Sequence, residues 1–307
     1  MAPSLIEQAP ATNNNSQGKS YNVLEYSDEI HAEVPKDLRI GDFGYKYRMV
    51  DGKAMPPYIT PKRYELSRNI QTRGSDICFV SYPKSGSTWL SYIIVLLTGS
   101  EGTTLRNSLH WVESSWTYPR SREELENAPA PRIFKSHMPY SMGLGGVPAR
   151  NPCKYIYIAR NPKDWEKLVW DHRLQMFLDV KAQRDDWFDH VLSWWEHKDA
   201  ENVLFLAFEE LKRNTESQLR RIAEFLDIEL SPEKLEEIRS KIGFSQMQKT
   251  QFSALKDVKE FNKFFRKGEI GSWKEYFTVA QSERFDQVFK ERVGASDLDF
   301  AFECDQA

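Results

Sequence analysis

The segment Tyr82-Pro83-Lys84-Ser85-Gly86-Ser87-Thr88-Trp89 sets one ammonium beside the hydroxyls of Ser85, Ser87 and Thr88, around a glycine. Small residues let a backbone wrap closely around an anion, and a helix start offers unpaired N–H groups at the positive end of its dipole. The chemistry such a turn can do is to hold a phosphate-like group. The G-x-x-x-x-G-K-[ST] order of nucleotide-triphosphatases is absent. A plain strand-to-helix turn shares the glycine and serine content; strand, loop, lysine and helix together favour an anion site. Three further places carry groups of the right kind: Lys135-Ser136-His137, Arg160, and Arg266-Lys267-Gly268. Alone, a strand-end histidine is more often structural and a basic run is usually a solvated face.

Those residues need elements to bring them together. Asp76 to Tyr82 (DICFVSY), Arg132 to His137, Lys154 to Arg160 (KYIYIAR) and Asn202 to Phe208 (NVLFLAF) read as strands. Helical stretches follow the turn (Thr88 to Leu97), start near Pro162, and run from about Glu209 to Leu226. This alternation predicts an α/β fold: a single domain with a mostly parallel central sheet flanked by helices. A last helix is marked by Thr278 and Gln281 in a capping-box pattern, with Phe285, Val288, Phe289 and Val293 on one face. Ligands of open α/β sheets bind beyond the carboxyl ends of the strands. Tyr82, His137 and Arg160 all lie at such ends.

The 307 residues carry a net charge of -3, so no global charge favours nucleic acid or an anionic membrane. The anion site must be a local cluster. The three cysteines, Cys78, Cys153 and Cys304, are widely spaced and suggest neither a disulfide framework nor a zinc site. No metal-ligand pattern is visible. No apolar run reaches a membrane-spanning length. Residues 1–19 are polar and lack the basic-then-apolar order of a secretory signal, so they are expected to be a disordered leader before a domain over 20–307. A cytoplasmic location is the expectation.

YPKSGSTWL resembles the 5′-phosphosulfate loop of the cytosolic sulfotransferases, usually YPKSGTTW, and Arg266 to Lys274 (RKGEIGSWK) is similar to that family's RKGxxGDWK. The two motifs stand in the family's order, and the resemblance covers about residues 40 to 304. It implies a P-loop-like, phosphosulfate-binding turn and 3′-phosphoadenosine 5′-phosphosulfate (PAPS) as co-substrate, with its desulfated form (PAP) as product and no metal. Lys84 would contact the phosphosulfate and stabilise the leaving oxygen, Ser85 to Thr88 would cradle the 5′-phosphate, and Trp89 would stack on adenine. Lys135-Ser136-His137 resembles the family's K-[TS]-H, which makes His137 the general base and Lys135 a partner of the sulfuryl oxygens. Arg160, with Arg266, Lys267 and Gly268, would bind the 3′-phosphate; Phe208 and Phe244 would lie on the adenine side. The implied reaction moves a sulfuryl group to a hydroxyl or amine of a small, apolar acceptor. Aromatic candidates for its pocket are Tyr45, Tyr47, Trp111 and Tyr140. Lys274, Thr278, Val279 and Glu283 match the family's dimerisation segment and imply a homodimer.

The chain also departs from the pattern. Leu168 stands where the family has a phosphate-binding serine, Phe208 replaces a tyrosine, Ile242 a threonine and Ser272 the aspartate of GDW. The stretch from about Trp170 to Trp187 is short. These changes motivate an alternative, a catalytically weak or inactive PAPS-, PAP- or ligand-binding protein on the same fold. A P-loop kinase is disfavoured because the turn Tyr82–Trp89 lacks the Gly-Lys pair.

Overall fold

Strand β4, Ile77–Ser81, is apolar without alternation and all of its residues are buried. A strand of this kind is stable only where both of its faces are covered. The computed structural model, which describes residues 38–40, 46–100, 109–115, 119–164, 186–249 and 268–303, places β4 at the centre of a five-stranded sheet. The order is β5-β6-β4-β7-β8, with β5 at Leu109–His110, β6 at Ile133–Ser136, β7 at Lys154–Ala159 and β8 at Val203–Ala207. Every pairing in this sheet is parallel.

The two-residue period of the strands divides the core. Cys78, Val80, Tyr155, Tyr157 and Phe205 face one layer with Trp187, Phe188 and Trp194 from the helix Trp187–Trp195. Ile77, Phe79, Ile156, Ile158, Leu204 and Leu206 face the other. There they meet the helices Ser87–Leu97, Thr215–Phe225 and Pro232–Lys241. The helix Ser87–Leu97 is apolar nearly all round, as its burial requires.

A second sheet, which the sequence did not suggest, is antiparallel: β1 (Leu38–Ile40), β2 (Lys46–Val50) and β3 (Lys53–Met55). Beyond β3 the chain bridges Ile59 to Ser114, near the end of β5. The stretch expected as one helix from Glu209 to Leu226 is two, Phe208–Arg213 and Thr215–Phe225. The break falls at Asn214 (φ -117, ψ 46), a residue type whose side chain competes with helical backbone bonds. The final helix, Val279–Val293, starts with both bonds of the Thr278–Gln281 capping box.

Residues 1–19, Tyr45, Leu168, Arg266, Lys267, Cys304 and most of 170–187 lie outside the described residues, as does the helix expected from Pro162 beyond its first turn, Pro162–Asp164. Cys78 and Cys153 are buried free thiols, and burial pushes both up in pKa. Among the described residues no helix is long and apolar enough to cross a membrane.

Candidate functional site

Strand order reverses around β4: after β4 the chain passes to the edge strand β5, returns to β6 beside β4, and then crosses to β7 and β8 on the other side. A crevice at the carboxyl end is the geometric consequence. Directly after β4 the backbone turns sharply, with Lys84 at φ 71 and Gly86 at φ 99. Positive φ at a lysine is costly, which marks a turn held by its surroundings. At Gly86 the requirement for glycine is steric as well, since a Cβ there would sit 2.7 Å from Cδ2 of Phe208. Gly86 is also the residue before the first turn of the helix Ser87–Leu97, and no side chain caps that end. The backbone N–H groups of the first turn are therefore presented as an anion-receptive cradle.

The aromatic and cationic neighbours close around this turn. Trp89 lies edge-on to Phe208 with ring centroids 5.5 Å apart, and its Nε1 donates to the Ile242 carbonyl at 3.1 Å. That bond uses only the backbone of residue 242, so the change to isoleucine leaves it intact. The Arg160 guanidinium rests 4.3 Å from the Phe208 ring centroid, and its Nη2 donates to the Glu269 carbonyl at 2.9 Å. Gly268, at φ 62, packs so tightly on Phe244 that a Cβ would approach Cδ2 to 2.9 Å. Lys84 to Trp89, Arg160, Phe208, Phe244 and Gly268 thus belong to one neighbourhood although they are drawn from separate parts of the chain.

His137 lies on the β6 side. Its Nδ1 is 2.7 Å from the Ser81 carbonyl, which can only accept, so Nδ1 carries the proton. In the neutral ring Nε2 is then the basic nitrogen. The Trp111 ring meets the imidazole edge-to-face at 5.3 Å, and the Lys135 ammonium sits 4.2 Å from the Trp111 centroid. One buried carboxylate orders this group: Oε1 of Glu113 accepts from the His137 backbone N–H at 3.1 Å and from Trp111 Nε1 at 3.0 Å. Burial pushes the Glu113 carboxyl up in pKa, against the pull of its hydrogen bonds. His190 is buried and donates from Nε2 to the His137 carbonyl at 3.2 Å. Its Nδ1 accepts from Tyr157.

Beside His137 a pocket is lined mainly by Met55, Tyr58, Ile59, Tyr82 and Met138, with His190. Of the aromatic candidates, Trp111 reaches this region through Tyr58, at 5.5 Å. Tyr140 does not: it is buried, stacked on His197 at 3.7 Å and edge-on to Trp194. Glu113, Ser81 and His190 were missed because their partners are distant in sequence and no local pattern announces them. Among the described residues no cluster of His, Cys, Asp and Glu is placed to hold a metal.

Glu209 lies under the Arg160 end of the site. It is 1% exposed, and its Oε1 accepts from the Asn161 N–H at 2.9 Å. Burial raises its pKa from 4.5 to about 7, opposed by that hydrogen bond and by Arg160, and assisted by Asp164. A carboxyl raised on folding holds its proton better in the native state. Its contribution to stability is complete below the unfolded value of 4.5 and is lost as pH rises through about 7. Glu209→Gln is therefore expected to gain stability over the wild type as pH increases across this window. Thermal midpoints measured for both proteins from pH 4 to 8 test it, and parallel curves would refute it.

A family model described as a sulfotransferase domain matches residues 74–297. Mouse sulfotransferase 1B1 is 33% identical over 290 residues, covering 85% of this chain and 96% of its own length. Rabbit amine sulfotransferase is 31% identical over 267 residues, or 79% of this chain and 88% of the relative. Among solved structures, mouse sulfotransferase SULT7A1 complexed with PAP superposes with a TM-score of 0.69 at 30% identity, covering 85% of this chain and 95% of that one.

Proposed function

The chain belongs to the sulfotransferase family and is an enzyme of that class, and from this premise we propose that it transfers the sulfuryl group of PAPS to a hydroxyl or amine of a small, apolar acceptor. One observation carries the reading: the end of β4 both presents the Lys84–Trp89 cradle and, through the Ser81 carbonyl, holds His137 with Nε2 as its basic nitrogen. A single strand end thus supports an anion cradle beside a proton acceptor.

The proposed reaction is an in-line displacement at sulfur. The acceptor's proton passes to Nε2 of His137 as its oxygen or nitrogen bonds to sulfur. The bond between sulfur and the bridging phosphate oxygen breaks, and PAP leaves. Lys84 stabilises charge on that oxygen and Lys135 faces the sulfuryl oxygens; positioning and charge supply most of the acceleration. Arg160, with Arg266, Lys267 and Gly268, takes the 3′-phosphate, a role suited to a guanidinium already oriented on Phe208. Trp89, Phe208 and Phe244 supply the rings for adenine. The pocket lined by Met55, Tyr58, Ile59 and Met138 receives the apolar body of the acceptor. No metal is required in this scheme.

The same proposal places the protein in the cytoplasm, with residues 1–19 as a leader to a domain over 20–307. It pairs two copies through Lys274, Thr278, Val279 and Glu283. Val279 is 75% exposed and so accessible to a second copy.

Calorimetric titration with PAP tests the donor assignment. The wild type is expected to bind saturably. Lys84→Ala and Arg266→Ala each remove a charge-assisted bond worth about 1.5–3 kcal/mol, so affinity is expected to fall roughly ten- to a hundredfold. Absence of binding by the wild type, or undiminished binding by both variants, would exclude PAPS as the donor at this site.

A further inference from the structure

The turn Pro162–Asp164 follows Arg160 at the end of β7 and sends two consecutive side chains into the C-terminal part of the chain. Lys163 is 3% exposed; its ammonium donates to Ser282 at 2.8 Å and pairs with Asp286, with the Trp273 ring centroid 4.4 Å away. Asp164 turns to the segment after Gly268. Its side chain has no exposure, and its carboxylate accepts from Gly271 N–H at 2.9 Å, Ser272 Oγ at 3.0 Å and Trp273 N–H at 2.9 Å. The same carboxylate lies 3.8 Å from Arg160 Nη2, which itself donates to the Glu269 carbonyl.

We infer that Asp164, through Ser272, is a positioning residue that sets how Arg160 and the loop at Gly268 face one another, and thereby how strongly the site recognises a 3′-phosphate. The inference rests on the donor proposed above. A buried carboxylate can be held only by donors that compensate its desolvation, and here these are the backbone N–H groups of Gly271 and Trp273 and the hydroxyl of Ser272 between them. The loop therefore cannot shift without stranding the carboxylate, and the carboxylate stands four residues after Arg160, beside its guanidinium. Ser272 is matched to this role. As an uncharged donor it completes the shell, whereas the aspartate that the sulfotransferase motif carries would bring a second negative charge to the same oxygen.

The readout is discrimination between PAP and adenosine 5′-monophosphate, which shares adenine, ribose and 5′-phosphate but lacks the 3′-phosphate. Both are titrated calorimetrically into the wild type, Asp164→Asn and Ser272→Ala. Asparagine keeps the shape but leaves one oxygen for three donors. The preference for PAP is expected to fall by about tenfold or more in Asp164→Asn, and by about threefold in Ser272→Ala, with adenosine monophosphate affinity nearly constant. Equal weakening of both ligands would mean a merely structural residue and overturn the inference, as would an unchanged preference in both variants. Should Asp164→Asn not fold, Ser272→Ala decides alone. A wild type without preference for PAP would bring down the donor assignment itself, and the positioning role with it.

Discussion

Replacing His137 by alanine is expected to lower kcat by about 10²- to 10⁴-fold, the usual contribution of a positioned general base. PAP affinity should stay within about twofold of the wild type, since the contacts that seat the ring, at Ser81 and Trp111, lie outside the Lys84–Trp89 segment. The substitution is local. Glu113 accepts from the backbone N–H of residue 137, and His190 donates to its carbonyl, so both contacts survive the loss of the imidazole. What disappears is a ring whose Nδ1–H is tied to Ser81 and whose Nε2 is aimed by that bond. Steady-state kinetics at saturating donor, with PAP calorimetry on the same preparations, separate the two quantities. A fall in kcat of less than tenfold would remove His137 from the proton transfer. Parallel losses in turnover and PAP binding would instead make it a structural support.

Asp76→Ala is expected to cost about 3–5 kcal/mol of stability, the usual penalty for stranding one member of a buried ion pair. Asp76 and Arg132 have fully buried side chains and stand before β4 and β6, at the end of the sheet opposite the site. Arg132 Nε donates to Asp76 Oδ1 at 2.8 Å, Nη1 to the Leu125 carbonyl at 3.0 Å and Nη2 to the Gln71 carbonyl at 2.8 Å. The carboxylate also accepts from the Arg73 N–H, and the Asp76 carbonyl accepts from the Lys154 N–H that begins β7. Alanine would leave a guanidinium without its counter-charge in a dry environment, and the thermal midpoint should drop by on the order of 10 °C. Replacing both residues, as in Asp76→Leu with Arg132→Met, should recover part of the loss; the carbonyls of Leu125 and Gln71 would still lack their donor. A cost below about 1 kcal/mol in urea unfolding would show that the pair is not held as a buried charge.

How much of this was legible from sequence depends on how far each contact reaches. The strands β4, β7 and β8 could be read because a strand covered on both faces must be apolar at successive positions, and ICFVS, KYIYIA and VLFLA are. The turn at Lys84–Trp89 was legible because its glycine, small residues and helical run are contiguous. By contrast β5, of only two residues, carries no period to detect. The antiparallel sheet over Leu38–Met55 has strands of three and five residues, held by pairing rather than by a marked pattern. The single helix expected after β8 is interrupted at Asn214, where the residue type was the available signal.

Asp164 illustrates the limit at the site. Nothing in IARNPKD distinguishes its aspartate from a surface residue, because its partners lie 107 to 109 positions later. Glu113 and His190 were hidden in the same way, the first 24 and the second 53 residues from His137. What is local could be read from residue order: the α/β alternation, the anion-receptive turn, and a lysine, a histidine and an arginine at strand ends. Packing across the sheet sets which nitrogen of His137 is basic, what seats Arg160, and which carboxylates brace the site. Those outcomes depend on carbonyls, rings and N–H groups brought together by parallel strand pairing, and their desolvation and direction arise only once the sheet has closed over them.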